Sequence, residues 1–207
     1  MKNLIDKIES LKKSEIGSLV NKRINEFKNI NRNSNKELFQ EMCFCILTAN
    51  YNAEKSIRIQ NEIQNCFSTD TTDELSKKLK HYGHRFPNAR AKYISESLKC
   101  KEKLKDIVQC QDKQVLRNWI VNNVKGLGYK EASHFLRNIG FDDYAIIDFH
   151  IIDILHDNNL IKKPKTITKN KYFKIENLLK KLAKKTNLTL AELDLYLWYL
   201  ETGKILK

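Results

Sequence analysis

Lys130 and Asp148 are two side chains whose types and spacing favour a joint chemical role. Lys130 follows a Gly-Leu-Gly turn at residues 126–128, and Asp148 lies 18 residues further on, directly after the apolar Ile147. A lysine amine can act as a covalent nucleophile, and a carboxylate set in an apolar run is costly to bury unless its charge is used. The apolar setting of Asp148 therefore indicates an enclosed acid whose charge is used, at a fixed distance from an amine that is able to act as a nucleophile.

The Gly-Leu-Gly turn stands between two helical patterns, and this order predicts a helix-hairpin-helix. The glycines Gly126 and Gly128 permit tight backbone geometry and close approach of a ligand. The second helix then presents free N–H groups and a positive dipole end to a phosphate. Two simpler interpretations stay open: an ordinary glycine-capped turn, and a hairpin that holds DNA without catalysis. The apolar residues of the two helical patterns are Leu116, Trp119 and Ile120 before the turn, and Ala132, Phe135, Leu136 and Ile139 after it.

The charge balance of the chain is strongly basic. The 207 residues carry a net charge of +13 with a pI of about 9.4, and such an excess favours a polyanionic partner because bound phosphates release counterions. Lysine-rich composition also follows from genome base content or from life at high temperature. The N-terminal segment MKNLIDKIESLKKSEIGSL has no long apolar stretch, so we expect neither a signal peptide nor a membrane span.

The pattern of apolar residues predicts an all-α protein. Two prolines and six glycines leave few chain breaks, and capping-box pairs predict three helix starts. Residues 162–185 carry ten lysines and one acid, Glu176, and this segment either binds DNA or only forms a solvated helix face. The capping-box pairs are Ser34 with Glu37, Thr71 with Glu74, and Thr189 with Glu192.

The five cysteines indicate reduced thiols in a cytoplasmic protein. They show no spacing typical of zinc ligands. Cys43 and Cys45 form a C-x-C pair, but they lie on a helical pattern in which positions i and i+2 face apart. All five precede Lys130, and they are Cys43, Cys45, Cys66, Cys100 and Cys110.

The combination G-h-G-x-K and h-h-D-x-H resembles the helix-hairpin-helix–Gly/Pro/Asp superfamily of DNA glycosylases. Within it, the chain is most similar to the short archaeal-type (type 2) 8-oxoguanine DNA glycosylases/AP lyases. The resemblance implies that Gly126 and Gly128 bind DNA and that Lys130 and Asp148 are catalytic. His150 matches the histidine of the 8-oxoguanine branch and is expected at the DNA.

The chain departs from the family pattern at two places. Lys125 stands where many members have proline, and the loop at residues 141–144 lacks the usual proline. These departures weaken the motif match without touching the catalytic pair.

The resemblance extends upstream to two further segments. Asn50, in LTANYN, matches an asparagine that fills the gap left by a flipped base, although a helix C-cap explains it as well. Arg85 and Phe86, in YGHRF, match a basic and an aromatic side chain that engage the opposite base. For this pair the DNA role is the favoured interpretation.

The substrate is predicted from the C-terminal part of the chain. Because no cysteine follows the aspartate, we expect no iron–sulfur cluster, which argues against the branches that carry one. Asp194 and Trp198, four apart on one helix face, and the terminal Lys207 match a purine pocket. A surface acid, a core aromatic and a frayed tail are the respective alternatives.

The resemblance implies a two-lobed helical fold with DNA in the cleft between the lobes. One lobe comprises residues 1–33 and 141–207, and the other residues 34–140. We expect a nucleoid-associated monomer that cleaves double-stranded DNA containing 8-oxoguanine, without a membrane partner. No cofactor is expected, and a monovalent cation at the hairpin stays open. Alternatives are a same-fold enzyme for another oxidised base, a non-catalytic DNA-binding module, and a helical scaffold, which leaves the Lys–Asp pair unexplained.

Overall fold

The computed structural model describes residues 1–30 and 32–207, and within these residues the protein is all-α. This confirms the predicted fold class. None of the described helices is long and apolar enough to cross a membrane. The α-helices are α1 Lys2–Lys12, α2 Glu15–Lys28, α3 Asn35–Thr48, α4 Ala53–Ile63, α5 Thr72–His81, α6 Pro87–Lys101, α7 Leu104–Ile107, α8 Lys113–Asn123, α9 Tyr129–Asn138, α10 Phe149–Asp157, α11 Lys169–Lys185 and α12 Leu190–Thr202, with a short 3₁₀ helix at Gln64–Cys66.

The predicted capping residues begin three of these helices. The Thr71 hydroxyl accepts a hydrogen bond from the Glu74 backbone N–H at 3.3 Å, and the Glu74 carboxylate accepts one from the Thr71 N–H at 2.9 Å. Thr189 and α12 show the same reciprocal pair. The Ser34 hydroxyl accepts from the backbone N–H three residues on, at the start of α3. Each bond satisfies an N–H group that the helix itself leaves without an acceptor.

The chain divides into two compact units. Unit 1 comprises Met1–Asn29 and Leu136–Leu206, and unit 2 comprises Ile30–Phe135 together with Lys207. In unit 1, α12 packs against α2, α10, α11 and α1. The predicted lobes place Lys207 with residues 141–206 instead. Its different placement here follows from the contacts of its side chain, described below.

Helix α3 is the centre of unit 2 and packs against α4, α6 and α7. The structure buries side chains all around it, including Phe39 and Phe44. A helix that is apolar on all sides is typical of a core position. Cys43 and Cys45 are therefore both buried although they face apart, and burial raises the pKa of the Cys43 thiol.

Candidate active site

The hairpin turn between α8 and α9 depends on Gly126. Its φ is +89°, a value that side-chain-bearing residues rarely adopt, and a Cβ there would lie 2.6 Å from Cδ2 of Tyr93. Gly128 has no such φ, and a Cβ there would meet the carboxylate end of Glu131 at 3.4 Å. The fold of the turn therefore requires glycine at 126 but not at 128, and the absence of a side chain at 128 suits the predicted approach of a ligand.

Lys130 is the second residue of α9 and lies in the first turn of that helix. Its side chain is 24% exposed, and its Nζ is 3.9 Å from Oε1 of Glu131. The other carboxylate oxygen of Glu131, Oε2, accepts a hydrogen bond from the Gly128 N–H at 3.2 Å. Glu131 thus holds the first turn of α9 and presents its second oxygen to the lysine amine. Glu131 is not among the site residues predicted from the sequence.

Asp148 is the N-cap of α10. Its Oδ1 accepts a hydrogen bond from the Ile151 N–H at 3.0 Å, which satisfies one of the unpaired N–H groups of the helix start. Among the described residues, the structure gives Oδ2 no hydrogen bond. The side chain is half-buried rather than enclosed. One oxygen of the carboxylate is therefore fixed by the fold, and the other is available for chemistry.

The segment that leads into Asp148 is anchored to α11. Residues 144–147 are all buried, as the apolar run predicts. The Tyr172 hydroxyl donates to the Ala145 carbonyl at 2.6 Å, and the Ala145 N–H donates to Oε1 of Glu176 at 3.3 Å. Both backbone groups of one buried residue are satisfied by side chains, so Asp148 starts from a well-ordered segment.

His150 and Trp198 lie together in unit 1. Their ring centroids are 4.9 Å apart with the planes nearly perpendicular, and Nδ1 of His150 is 3.6 Å from Oε1 of Glu201. The Trp198 indole N–H is buried, and no acceptor for it exists among the described residues. A buried donor without an acceptor costs free energy. It is therefore a candidate contact for a bound ligand, and a purely apolar core role would leave it unexplained.

Asp194 is a buried acid. It is 8% exposed and forms a close ion pair with Arg137, 57 residues away in the sequence. The Arg137 guanidinium also donates to the side-chain oxygen of Asn138 and lies 4.8 Å from the centroid of the Phe27 ring. The alternative of a helix-surface acid is thus wrong. The predicted role of Asp194 in base recognition stays a prediction, and Arg137 is a partner that the sequence did not reveal.

Lys207, the last residue, has a defined place in unit 2. Its Nζ lies 2.7 Å from Oε2 of Glu41 and 4.4 Å from the centroid of the Phe44 ring. Glu41 is 4% exposed, and a buried carboxylate is tolerated when a cation compensates its charge. These contacts contradict the frayed tail that was the alternative for this residue.

Two exposed loops of unit 2 carry the other predicted DNA contacts. Asn50, in residues 49–52 (the Asn50 loop), has a φ of +53° just after α3, so the helix-end role is present while the side chain is exposed. Arg85 and Phe86 lie in residues 82–86 (the Arg85 loop). Both are exposed, and the guanidinium carbon lies 5.0 Å from the Phe86 ring centroid.

The lysines of residues 162–185 are all exposed, as both interpretations of this segment require. Glu176, the acid of this segment, is buried at 3% exposure and bonded to the backbone. The segment is therefore a strongly basic surface of unit 1.

Residues 20–188 match the family model described as 8-oxoguanine DNA glycosylase, Ogg-HhH. The chain belongs to this family. A Methanocaldococcus jannaschii protein named 8-oxoguanine DNA glycosylase/AP lyase is 54% identical over 206 residues, 99% of each chain. A protein of the same name from Korarchaeum cryptofilum is 45% identical over 207 residues, 99% of this chain and 98% of its own.

Solved structures of the family agree with the fold. The crystal structure of the M. jannaschii 8-oxoguanine glycosylase/lyase in complex with 15mer DNA containing 8-oxoguanine matches with a TM-score of 0.96 at 52% identity, over 99% of each chain. The 8-oxoguanine DNA glycosylase of Thermotoga maritima matches with a TM-score of 0.94 at 41% identity, over 100% of this chain and 99% of its own.

In this member of the Ogg-HhH family, sequence reasoning missed several residues around the predicted site. Glu131 had a local signal, because it lies three residues after Gly128, the spacing at which a carboxylate reaches back to a helix start. Arg137 and Glu41 had none, since their partners are distant in the chain.

Proposed function

We propose that this chain is a bifunctional DNA glycosylase/AP lyase that removes 8-oxoguanine from duplex DNA in base-excision repair. The observation that carries the proposal is an amine, Lys130, in the first turn of the hairpin's second helix. It occurs in a chain 54% identical, over its length, to a protein named 8-oxoguanine DNA glycosylase/AP lyase. A lysine at this position supplies the nucleophile that a lyase needs and that a purely hydrolytic glycosylase lacks.

Base removal begins when the damaged nucleotide leaves the base stack, because the glycosidic bond is inaccessible inside the duplex. The neutral amine of Lys130 then attacks C1′ of the sugar. The C1′–N9 bond breaks, and the base leaves with the bonding electrons and gains a proton. The products are the free base and a sugar joined to Lys130 through a C1′–N bond.

Strand cleavage follows from the covalent intermediate. Opening of the sugar ring breaks the C1′–O4′ bond and gives an imine between C1′ and Lys130. The imine acidifies the 2′ hydrogen, and loss of that proton with departure of the 3′ phosphate cuts the strand by β-elimination. Water then hydrolyses the imine and restores the amine.

Asp148 serves the first step. Its Oδ1 is engaged by the Ile151 N–H, and Oδ2 remains to stabilise positive charge on the sugar as the base departs or to assist deprotonation of the amine. Glu131 lies 3.9 Å from the lysine amine and helps to orient it.

The remaining predicted residues bind the DNA and the base. Gly126 and the first turn of α9 bind a phosphate through backbone N–H groups, and the absence of a side chain at Gly128 lets that phosphate approach. His150 contacts the DNA from unit 1. Asn50 fills the gap left by the flipped nucleotide, while Arg85 and Phe86 meet the opposite strand. The buried N–H of Trp198 supports a polar contact to the base, and we assign Asp194 and Lys207 to the same recognition task.

The enzyme acts as a monomer on chromosomal DNA, in the cytoplasm at the nucleoid. Imine chemistry on a lysine activates the sugar without a metal ion, so we expect full activity in the presence of a chelator such as EDTA. A fall of activity on chelation would contradict that expectation.

The proposal is tested with duplexes that carry one 8-oxoguanine, one thymine glycol or no lesion. We expect release of free 8-oxoguanine and cleavage 3′ to the lesion from the first duplex only. Release of thymine glycol instead would overturn the assignment of 8-oxoguanine as the substrate. Binding to all three duplexes without base release or strand cleavage would overturn the proposed enzymatic activity and would favour a non-catalytic DNA-binding protein.

A further inference from the structure

His84 is a buried residue of the Arg85 loop that contacts the end of α3. It is buried at 5% exposure, and its Nδ1 accepts a hydrogen bond from the Phe86 N–H at 3.0 Å. Nε2 must then carry the ring hydrogen, which it donates to the Leu47 carbonyl at 3.0 Å, in the last turn of α3. Burial lowers the pKa of His84, which favours this neutral form. One imidazole thus ties the Arg85 loop to the end of α3.

Two further side chains cross between the same segments. Arg90, in the first turn of α6, donates to the Ala49 carbonyl through Nη2. In the opposite direction, the Tyr51 hydroxyl donates to the Gly83 carbonyl at 2.8 Å, and the Tyr51 ring lies 4.1 Å from the His84 ring. Three side-chain-to-backbone hydrogen bonds therefore connect residues 47–51, at the end of α3 and in the Asn50 loop, with residues 83–90, in the Arg85 loop and at the start of α6.

The exposed residues predicted to meet DNA lie between these anchored positions. Asn50 stands between Ala49 and Tyr51, each of which takes part in one of the crossing bonds. Arg85 stands between His84 and the residue whose N–H that histidine binds. The side chains free to contact a ligand thus extend from a backbone held on both sides.

The connection continues to the hairpin. The Arg90 guanidinium carbon lies 5.6 Å from the Phe86 ring centroid and 5.7 Å from that of Tyr93. The Tyr93 ring fills the space where a side chain on Gly126 would stand. Arg90 is 7% exposed, and it therefore links the Asn50 loop, the Arg85 loop and the hairpin from inside unit 2.

We propose that His84 and Arg90 are positioning residues that hold the three DNA-contacting segments of unit 2 in one fixed arrangement. This inference rests on the proposed function. Removing a base requires the lesion nucleotide to leave the stack while side chains replace it and hold its partner, so small displacements between the loops are costly. Strand cleavage at an existing abasic site depends less on a fixed arrangement of the loops, because no base remains to be displaced.

The test compares His84→Phe with His81→Phe in the full chain. His84→Phe keeps an aromatic ring and removes both hydrogen bonds, while His81 is exposed at the end of α5 and serves as the matched control. Single-turnover rate constants are measured on duplexes with 8-oxoguanine and with a preformed abasic site. A single-turnover rate constant does not depend on the fraction of protein that is active. Partial unfolding of a variant therefore lowers the amount of protein that borohydride traps on DNA, but it does not lower the rate constant of excision.

We expect His84→Phe to slow excision of 8-oxoguanine by about 10- to 100-fold while abasic cleavage stays within about threefold of the His81→Phe rate. Arg90→Met should act in the same direction. His84→Gln retains a donor for the Leu47 carbonyl and should recover part of the lost rate. Unchanged excision in His84→Phe, or an equal fall in both reactions, would overturn the proposal.

A failure of the proposed function appears separately, as wild-type protein that releases no 8-oxoguanine. Amide hydrogen exchange then decides the structural claim alone. His84→Phe must accelerate amide exchange in residues 49–52 and 82–86 relative to His81→Phe. Equal exchange rates in the two variants would show that His84 does not hold these segments in place.

Discussion

The two predicted catalytic side chains occupy the N-termini of two helices, and the two helix starts are built differently. At α10 the catalytic candidate is itself the cap, since Asp148 accepts the Ile151 N–H. At α9 the cap residue is Gly128, whose carbonyl accepts the Ala132 N–H at 2.9 Å and whose own N–H is bound by Glu131. Lys130 takes no part in that capping.

This difference separates stability from chemistry at the two positions. Asp148 contributes to folding and to the reaction through the same carboxylate, so a loss of activity after its replacement has two explanations. Lys130 contributes only its amine, and Glu131 supplies the local stabilisation beside it. Substitutions chosen for each helix start can therefore test the chemical role with the structural role held constant.

The largest expected effect is that of Lys130→Gln. It should lower base release and strand cleavage at least about a thousandfold, because the nucleophile is lost. The free energy of unfolding, measured by thermal melts, should change by less than about 0.5 kcal/mol, because the Lys130 side chain is partly exposed and does not cap the helix. Lys125→Gln, in the same turn and 57% exposed, is the matched control and should keep most of the activity.

Replacements of Asp148 come next. Asp148→Asn and Asp148→Ala should both slow base release about 100- to 1,000-fold through loss of the charge. Only the alanine variant should also lose about 1 kcal/mol of unfolding free energy, because asparagine caps a helix as well as aspartate does. Equal stability losses in both, or an active asparagine variant, would show that the carboxylate is mainly structural.

Alanine at the two hairpin glycines should affect two different properties, the stability of the fold at position 126 and the affinity for DNA at position 128. Gly126→Ala should destabilise the protein by about 1–2 kcal/mol, since its φ of +89° and the Tyr93 ring both oppose a side chain. Gly128→Ala should change the free energy of unfolding by less than about 0.5 kcal/mol, but it should weaken binding to duplex DNA. Thermal melts and fluorescence anisotropy distinguish the two. Wild-type DNA affinity in Gly128→Ala would remove that position from the phosphate contact.

The smallest effect is expected for Glu131. Glu131→Gln keeps an acceptor for the Gly128 N–H and should hold stability, whereas Glu131→Ala should lose about 0.5–1 kcal/mol. Both should slow base release only a few-fold, because the lysine remains and loses only an orienting neighbour. A single-turnover rate as low as that of Lys130→Gln would instead give Glu131 a direct part in proton transfer.

The sequence predicts local features of this protein well and long-range ones poorly. The capping boxes at Thr71 and Thr189, the hairpin and the exposure of the α11 lysines all follow from residues within a few positions of each other. The ion pairs of Asp194 with Arg137 and of Lys207 with Glu41 join residues 57 and 166 positions apart. Such pairs are set by helix packing, which no local pattern encodes.

The predicted site shows the same division. The position of Lys130 in the first turn of α9 follows from the motif alone. The buried N–H of Trp198 and the double hydrogen bonding of His84 depend on tertiary contacts, and a single sequence gives no indication of either.

The role of Lys130 as the nucleophile is tested by locating the covalent adduct. Wild-type protein is reacted with 8-oxoguanine duplex DNA in the presence of borohydride, which reduces the imine to a stable amine, and the digested product is analysed by peptide mass spectrometry. We expect one modified peptide, with the sugar on Lys130. Attachment to the amine of Met1 or to another lysine, with Lys130 unmodified, would contradict it.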